Sequence, residues 1–257
     1  MRRHDAAGGG GRVVSVTASA RPIAVASFST GAAVSRGSVV VIDVIRAFTT
    51  AAVALSRGAE AIVMVDDLAQ ATQLRAQGAG RYCMGERGGV KPEDFDFGNS
   101  PGEIAAPELA ADLAGAVLIQ TTTNGTRGIA AAAAAGAERI YAGAFVTAEA
   151  TVQALLAGPP EAPVALVAMG YRDRIRTDED ELCALYLRGR LEGREPDKGA
   201  LVAALRSLLG EPGETERLFA DLTAADLETC LTLDRYPFAV RVMEQDGLLV
   251  ARMEAVS

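Results

Sequence analysis

Val39-Val40-Val41-Ile42-Asp43-Val44-Ile45-Arg46-Ala47-Phe48-Thr49-Thr50 is the stretch from which the fold is read. Four consecutive β-branched residues predict a strand buried on both faces, the kind found inside parallel sheets. The run closes on Asp43, an acid delivered to the carboxyl end of that strand, where open α/β sheets bind ligands. Arg46, Thr49 and Thr50 then supply a cation and two hydroxyls as the next helix begins. An acid, an arginine and hydroxyls at a helix start suit a metal ion with an anionic group, so the chemistry is expected here.

Outward from this run, strand and helix alternate. Residues 23–28 read as a short edge strand behind Pro22. The helix after Asp43 stops at Gly58, a residue suited to a C-cap. Residues 61–65 form the next strand, and Asp66-Asp67 caps a helix running to Gln77. Residues 82–101, rich in Gly, Asp, Glu and Pro, read as one long loop of the kind that more often carries function than not. A helix around residues 103–113 leads to a strand at 116–120, and Thr121-Thr122-Thr123-Asn124-Gly125-Thr126-Arg127 opens an alanine-rich helix. A strand at 139–145, a helix from Thr147 and a strand at 164–168 complete the series. Thr177 begins a helix, residues 196–232 read as helices broken at Pro212-Gly213, and residues 238–243 and 248–253 predict a hairpin through Gln245-Asp246-Gly247. The expected fold is a three-layer α/β/α domain with a mostly parallel sheet and an appended C-terminal lobe of helices and hairpin. Residues 1–12, which hold the only histidine, His4, read as a disordered tail. Residues 13–257 read as one domain, with a division into two subdomains left open.

Composition bounds the function. The chain has 257 residues, 49 % of them apolar, enough for a sizeable core. A net charge of −8 argues against a nucleic-acid partner. Cys83, Cys183 and Cys230 show neither CxxC spacing nor an even count, so neither a disulfide frame nor a zinc site is expected. No uncharged apolar run reaches membrane-spanning length, and no targeting segment is read, so a cytoplasmic protein is expected.

Absences sort the chemistry further. With its sole histidine in a glycine-rich stretch, the chain offers no base for a Ser–His–Asp triad or a phosphohistidine mechanism. It has no G-x-x-x-x-G-K-[ST] run and no G-x-G-x-x-G after a strand, so neither phosphate-binding loop is present. Neither Cys83 nor Cys230 lies in a loop that would wrap a phosphate. Carboxylates, hydroxyls, arginines and any metal they hold remain.

The candidate residues each have an ordinary reading as well. Asp43 would serve equally as a helix cap, and Glu86-Arg87 between glycines as a solvated turn. Asn99-Ser100-Pro101 is a good turn before a helix. Thr122, Thr123, Asn124, Gly125, Thr126 and Arg127 place hydroxyls and N–H groups at a helix start, a ready anion nest. Thr177 with Asp180 resembles a capping box, and capping is the default for the acids of residues 178–181. Cys183 and Cys230 read as core residues.

The ordered set Asp43-Val-Ile-Arg46-Ala-Phe-Thr49-Thr50, Gly85-Glu86-Arg87, Gly98-Asn99-Ser100-Pro101-Gly-Glu103 and Thr121–Thr126 resembles the 2-phosphosulfolactate phosphatases. So do Glu179-Asp180 with Leu182-Cys183-Ala184, and Asp234-Arg235. The resemblance spans about residues 23–245. It implies a magnesium-dependent hydrolysis of (2R)-phosphosulfolactate, a step in coenzyme M synthesis, on an α/β/α fold distinct from the common aspartyl phosphatases. In agreement, Ile45 stands where a haloacid-dehalogenase-type enzyme needs a second Asp. Two departures touch the pocket wall: Phe48 replaces a smaller polar residue, and Ala168-Met169-Gly170 replaces a Cys-Ala-Gly-like strand ending.

The resulting expectation is a small-molecule anionic substrate. Asp43, Arg46 and Glu86 are the catalytic candidates. Mg²⁺ would be held by Asp43 with Glu86 or the Glu179/Asp180 pair. Arg46 and the nest at residues 122–127 would hold the phosphate or sulfonate, with Thr49 and Thr50 beside them, and Asn99 and Ser100 would position the carboxylate end. A non-catalytic anion sensor built from the same nests is the alternative, and homo-oligomer formation is left open.

Overall fold

A computed structural model describes residues 21–209 and 222–256, so the expected N-terminal tail with His4 and the break at Pro212-Gly213 lie outside the described residues. β2 (Ser38–Ile42) is the strand read from the valine run, and all five of its residues are buried. Val39 and Val41 enter one hydrophobic core and Val40 and Ile42 another, as strand alternation requires.

The other strands are β1 (Ile23–Ser27), β3 (Ala61–Met64), β4 (Tyr82–Gly85), β5 (Val117–Thr121), β6 (Arg139–Gly143), β7 (Val164–Ala168), β8 (Phe238–Gln245) and β9 (Leu248–Ala255). They form one sheet in the order β1-β7-β2-β6-β8-β9-β3-β5-β4. β1, β7, β2 and β6 are mutually parallel, and so are β3, β5 and β4. The two parallel blocks are joined by the antiparallel hairpin β8–β9.

That placement corrects one expectation. The C-terminal hairpin is not part of an appended lobe; it occupies the middle of the sheet. Its strands show the reason. Val240, Val242 and Ala251 face one core, while Ala239 and Val250 face the cores on the opposite side, so both surfaces of the hairpin are apolar. Apolar surface on both faces belongs inside a covered sheet. The two-residue turn Asp246-Gly247, with φ of 53° and 75°, is of the type whose twist matches a right-handed hairpin. β4 is a second difference, since the sequence read all of residues 82–101 as loop. It is an edge strand of four residues, paired with β5 on one side and bridged only at Phe97 on the other, too short to announce itself.

Helix α1 (Phe28–Ala32) follows β1, and α2 (Ala47–Ser56) follows Asp43. Every residue from Ala47 to Leu55 is buried. A helix apolar all round must be covered all round, and the cluster that covers α2 draws on Val41, Ile62, Met64, Met84, Leu118, Val240 and Ala251. Strands from both parallel blocks therefore share one core around this helix. α3 (Leu68–Ala76), capped by Asp67 accepting from Gln70 N–H, covers β3 and β5 on the other face. α4 (Pro101–Ile104), α5 (Ala110–Leu113) and α6 (Gly125–Ala134) lead into and out of β5. α7 (Ala148–Leu156), α8 (Asp178–Leu191), α9 (Lys198–Leu209) and α10 (Ala224–Cys230) build the outer layer over β2, β6 and β7. No helix among the described residues is long and apolar enough to cross a membrane.

Candidate active site

β2 carries Asp43 to the edge of the sheet and the chain turns at once into α2, so that Ala47 N–H donates to Asp43 Oδ1 at 3.1 Å. The ordinary capping role and the site role thus coexist in one side chain. α6 arrives from the far block and begins against the same carboxylate: a Cβ built on Gly125 would lie 2.9 Å from Asp43 Oδ2 and 2.9 Å from Phe48 Cζ. Only glycine permits that approach. One turn on, a Cβ at Gly128 would be 2.4 Å from Met169 Sδ. Phe48 and Met169, the two departures from the family pattern, are fully buried and pack against these glycines.

Four carboxylates are buried in this region. Asp43 is 6 %, Glu86 8 %, Glu179 2 % and Asp180 2 % exposed. Burial is the first cause that raises Asp43 to about 7, with the Glu86 charge adding to it; the N–H groups of Ala47 and Gly125 and the Arg46 cation pull the other way. Burial likewise raises Glu179 to about 7, reinforced by Asp43 and Asp178. Asp180 is pushed well above the carboxylate range by burial, then by Glu179 and Asp43. Three acids thus feel one another's charge at the end of β2.

Two of the four are engaged as latches. Asp180 accepts Val44 N–H on one oxygen and Gly170 N–H on the other, each at 2.8 Å, and so ties the loop after β2 to the loop after β7. It does not close a capping box, as the sequence pattern suggested; Thr177 makes no side-chain cap bond. Glu86 accepts Thr123 N–H at 2.6 Å on Oε1, and on Oε2 the Thr123 hydroxyl at 2.8 Å and Gly89 N–H at 2.6 Å. Gly85 makes this arrangement accessible. Its φ is 136°, and a Cβ there would lie 1.9 Å from Thr121 O, so the ends of β4 and β5 touch backbone to backbone.

The threonine nest is turned inward. Its N–H groups serve the chain's own acids, Glu86 at Thr123 and Asp43 at Gly125. Thr122 and Thr126 bond each other reciprocally, N–H to hydroxyl at 3.0 and 3.2 Å, and both are buried. Asn124 Oδ1 accepts Asp173 N–H at 3.0 Å. The anion these groups recognise is therefore a built-in carboxylate. Arg127 lies on the surface, 44 % exposed and 3.4 Å from Asp66. Thr49 and Thr50 are corrected: both are fully buried, and their hydroxyls donate to Val44 O and Arg46 O at 2.8 Å each. A hydroxyl that back-bonds inside a helix is not offered to a ligand.

Arg46 is held by a residue the sequence reading passed over. Asp226, fully buried on α10, meets Arg46 Nη1 at 3.1 Å. Its other oxygen accepts the Ser100 hydroxyl at 2.7 Å and Gly102 N–H at 2.9 Å. Burial alone would raise the Asp226 carboxyl, but these hydrogen bonds, that of Thr223 and the Arg46 charge hold it below the usual range. In sequence, Asp226 looks like the last residue of a Thr223-x-x-Asp226 capping box, which it also is; nothing marks its reach to Arg46. Ser100 caps α4 through Glu103 N–H. Beside it, Asn99 Oδ1 is buried and accepts no hydrogen bond from the described residues. Asp234 lies elsewhere, accepting Glu149 N–H at 2.7 Å and pairing with Lys198 at 2.6 Å, which ties α7 to α9.

Oxygen is the donor type that this edge of the sheet could offer a metal ion. Among the described residues no three His, Cys, Asp or Glu side chains converge as a cage for an ion. Asp43 also accepts two backbone N–H groups, those of Ala47 and Gly125, and Glu179 is a second buried acid that feels its charge; Asn99 Oδ1 is a buried oxygen that accepts no hydrogen bond from the described residues. Oxygen donors with only one or two carboxylates fit Mg²⁺, which keeps most of its waters.

The family model described as 2-phosphosulpholactate phosphatase matches residues 23–245. A protein of Prochlorococcus marinus strain MIT 9303, named "Probable 2-phosphosulfolactate phosphatase", is 35 % identical over 230 residues, covering 82 % of this chain and 91 % of that protein. A Thermus thermophilus protein of the same name is 36 % identical over 218 residues, 83 % of this chain and 87 % of its own. One from Thermoplasma volcanium is 32 % identical over 195 residues, 76 % and 84 % of the two chains.

Proposed function

The chain belongs to the 2-phosphosulpholactate phosphatase family, a family of phosphoric monoester hydrolases, and we propose that it hydrolyses (2R)-2-phospho-3-sulfolactate to 3-sulfolactate and phosphate with Mg²⁺. Where coenzyme M is made, that reaction is one of its steps. The observation that carries the reading is the convergence of Asp43, Glu179 and Arg46 at the carboxyl edge of β2, with the start of α6 packed against the same acid. Acids that burial first of all, and neighbouring carboxylates after it, raise to about 7 would accept a divalent cation in place of protons.

Asp43 and Glu179 would hold Mg²⁺, with Asn99 Oδ1 as a neutral donor to its shell. When bound, the ion supplies charge neutralisation on the phosphoryl oxygens. Arg46, paired with Asp226, would orient the phosphate. Asp180 and Glu86 keep Val44, Gly170, Thr123 and Gly89 in register around the site and do not ligate the ion. Held to the ion, Asp43 would act as an ionised ligand and not as the acid for the leaving ester oxygen.

Phosphate release is the test, run on racemic 2-phosphosulfolactate, phospholactate and phosphoglycolate with Mg²⁺ and with EDTA. Metal-dependent release that prefers the sulfonated ester supports reaction and substrate together. Release from the other two alone keeps the phosphatase and discards the substrate. Tight binding without release from any ester would replace the enzyme with an anion sensor.

A further inference from the structure

The loop between β7 and α8 carries three arginines in five residues, Arg172, Arg174 and Arg176, all exposed. Arg176 is paired with Glu181 at 3.5 Å. Among the described residues neither Arg172 nor Arg174 meets a carboxylate; the Arg172 guanidinium lies 5.1 Å from the centre of the Tyr171 ring. Asp173, which lies between them in sequence, is engaged by Ser29, so it does not pair with either cation.

This loop is also firmly placed. Its backbone closes as a small hairpin, Tyr171 N–H to Ile175 O at 2.7 Å and Ile175 N–H to Tyr171 O at 3.0 Å. The two residues at its tip, Arg172 and Asp173, have φ of 51° and 54°, a conformation in which glycine would be easier. Asp173 holds the tip down: its carboxylate accepts Ser29 N–H at 2.6 Å and the Ser29 hydroxyl, and its own N–H donates to Asn124 Oδ1. The base is fixed by Gly170 N–H on Asp180. Both anchors, Asn124 and Asp180, are groups that also frame Asp43: Asn124 precedes the glycine that packs on its carboxylate, and Asp180 fixes the residue that follows it.

We propose that residues 171–176 form a cationic lip that binds the second anionic group of the substrate, its sulfonate or carboxylate, through Arg172 and Arg174. The inference rests on the phosphatase reading above and extends it to specificity. Charge gives the reason such a lip is needed. The floor of the site holds several carboxylates, and one metal ion with Arg46 offsets a phosphate dianion but leaves a further sulfonate facing acids. Cations at the mouth supply that balance, draw the multiply charged ester in, and select it over esters without a second anion. Guanidinium suits both groups, since its fork of N–H donors pairs with two oxygens of a sulfonate or carboxylate.

The test compares the parent chain with Arg172→Ala/Arg174→Ala and Arg172→Lys/Arg174→Lys. Each is assayed with 2-phosphosulfolactate, phosphoglycolate and 4-nitrophenyl phosphate, which has no second anion. The ratio of kcat/KM for 2-phosphosulfolactate to that for 4-nitrophenyl phosphate should fall at least tenfold in the alanine pair, through KM, and recover most of the loss in the lysine pair. A ratio within twofold of the parent, or an equal loss on all three esters, would overturn the proposal. Calorimetric titration with 3-sulfolactate separates it from the reaction itself. If the parent hydrolyses no ester, the proposed reaction fails, yet a Kd weakened at least tenfold in the alanine pair still supports the lip and an unchanged Kd overturns it.

Discussion

Replacing Asp226 by alanine removes one carboxylate that touches three elements at once. The Arg46 and Asp226 side chains are 10 % and 0 % exposed, so their ion pair is effectively buried. Deleting one partner of a buried pair costs about 3–5 kcal/mol, chiefly from the charge left behind. The Ser100 hydroxyl and Gly102 N–H lose an acceptor at the same time, each worth about 1–3 kcal/mol if it stays dry. These contributions share one cavity and do not add, so about 4 kcal/mol is expected for the whole change. In a chain of this size each kcal/mol moves Tm by about 2–4 °C, which places Asp226→Ala about 8–16 °C below the parent. Asp226→Asn keeps an oxygen for Ser100 and Gly102 while withdrawing the charge, so it should fold well enough to assay. With Arg46 no longer braced, its kcat/KM on the phosphoester should drop roughly 100-fold, the size of effect that small misplacement produces. Thermal melts followed by phosphate release provide both readouts. An alanine variant melting within 2 °C of the parent would refute the reasoning. So would a double-mutant cycle with Arg46→Met whose coupling falls below about 0.5 kcal/mol.

Other consequences follow from the same geometry. Folding raises Asp43 and Glu179 from ordinary carboxylate values to about 7, so the folded state keeps protons that the unfolded chain gives up near pH 4. Stability of the metal-free protein should therefore fall as pH rises from about 4 through about 7, and Mg²⁺ should raise Tm more at pH 8 than at pH 5; equal increments would count against metal binding by these acids. Asp43→Asn imitates the protonated form and should raise Tm at pH 8 while abolishing phosphate release, and retained release would remove Asp43 from the mechanism. Gly85→Ala forces a Cβ against Thr121 O at a φ of 136°. It should cost about 3 kcal/mol or more, and a melt like the parent's would show that β4 and β5 can separate freely at that end. Arg127→Ala should leave kcat/KM within twofold of the parent, whereas a large loss would assign Arg127 to the substrate.

The features legible in the sequence are those that local chemistry dictates. The valine run announced a doubly buried strand because β-branched residues without alternation have no other comfortable setting, and Asp246-Gly247 announced its turn because few other pairs accept two positive φ values. Asp43 was legible because the acid interrupts an apolar run at a strand end. What the sequence hid is what depends on partners far along the chain. Asp180 and Val44 are separated by 136 positions, and Asp226 and Arg46 by 180; each acid looks, locally, like an ordinary helix-start residue. The threonine nest was recognised as an anion receptor, but not that the anions would be Glu86 and Asp43. Thr49 and Thr50 were misread because a hydroxyl's direction on a helix is settled by whether the helix is exposed, and α2 is enclosed by strands that follow it by up to two hundred residues.

The hairpin at the centre of the sheet also has a kinetic meaning. β3, β4 and β5 make one parallel ribbon and β1, β2, β6 and β7 another, and the two strands that fuse them come after all of these in chain order. Until residues 238–255 are in place, each ribbon presents an open edge, β6 on one and β3 on the other, and α2 lacks part of its cover. Such edges template unwanted pairing, and contacts closed over long sequence separations form slowly. Assembly of the candidate site is thus coupled to the last strands of the sheet: a chain without residues 238–255 carries Asp43 and Glu86 on two ribbons that nothing yet joins.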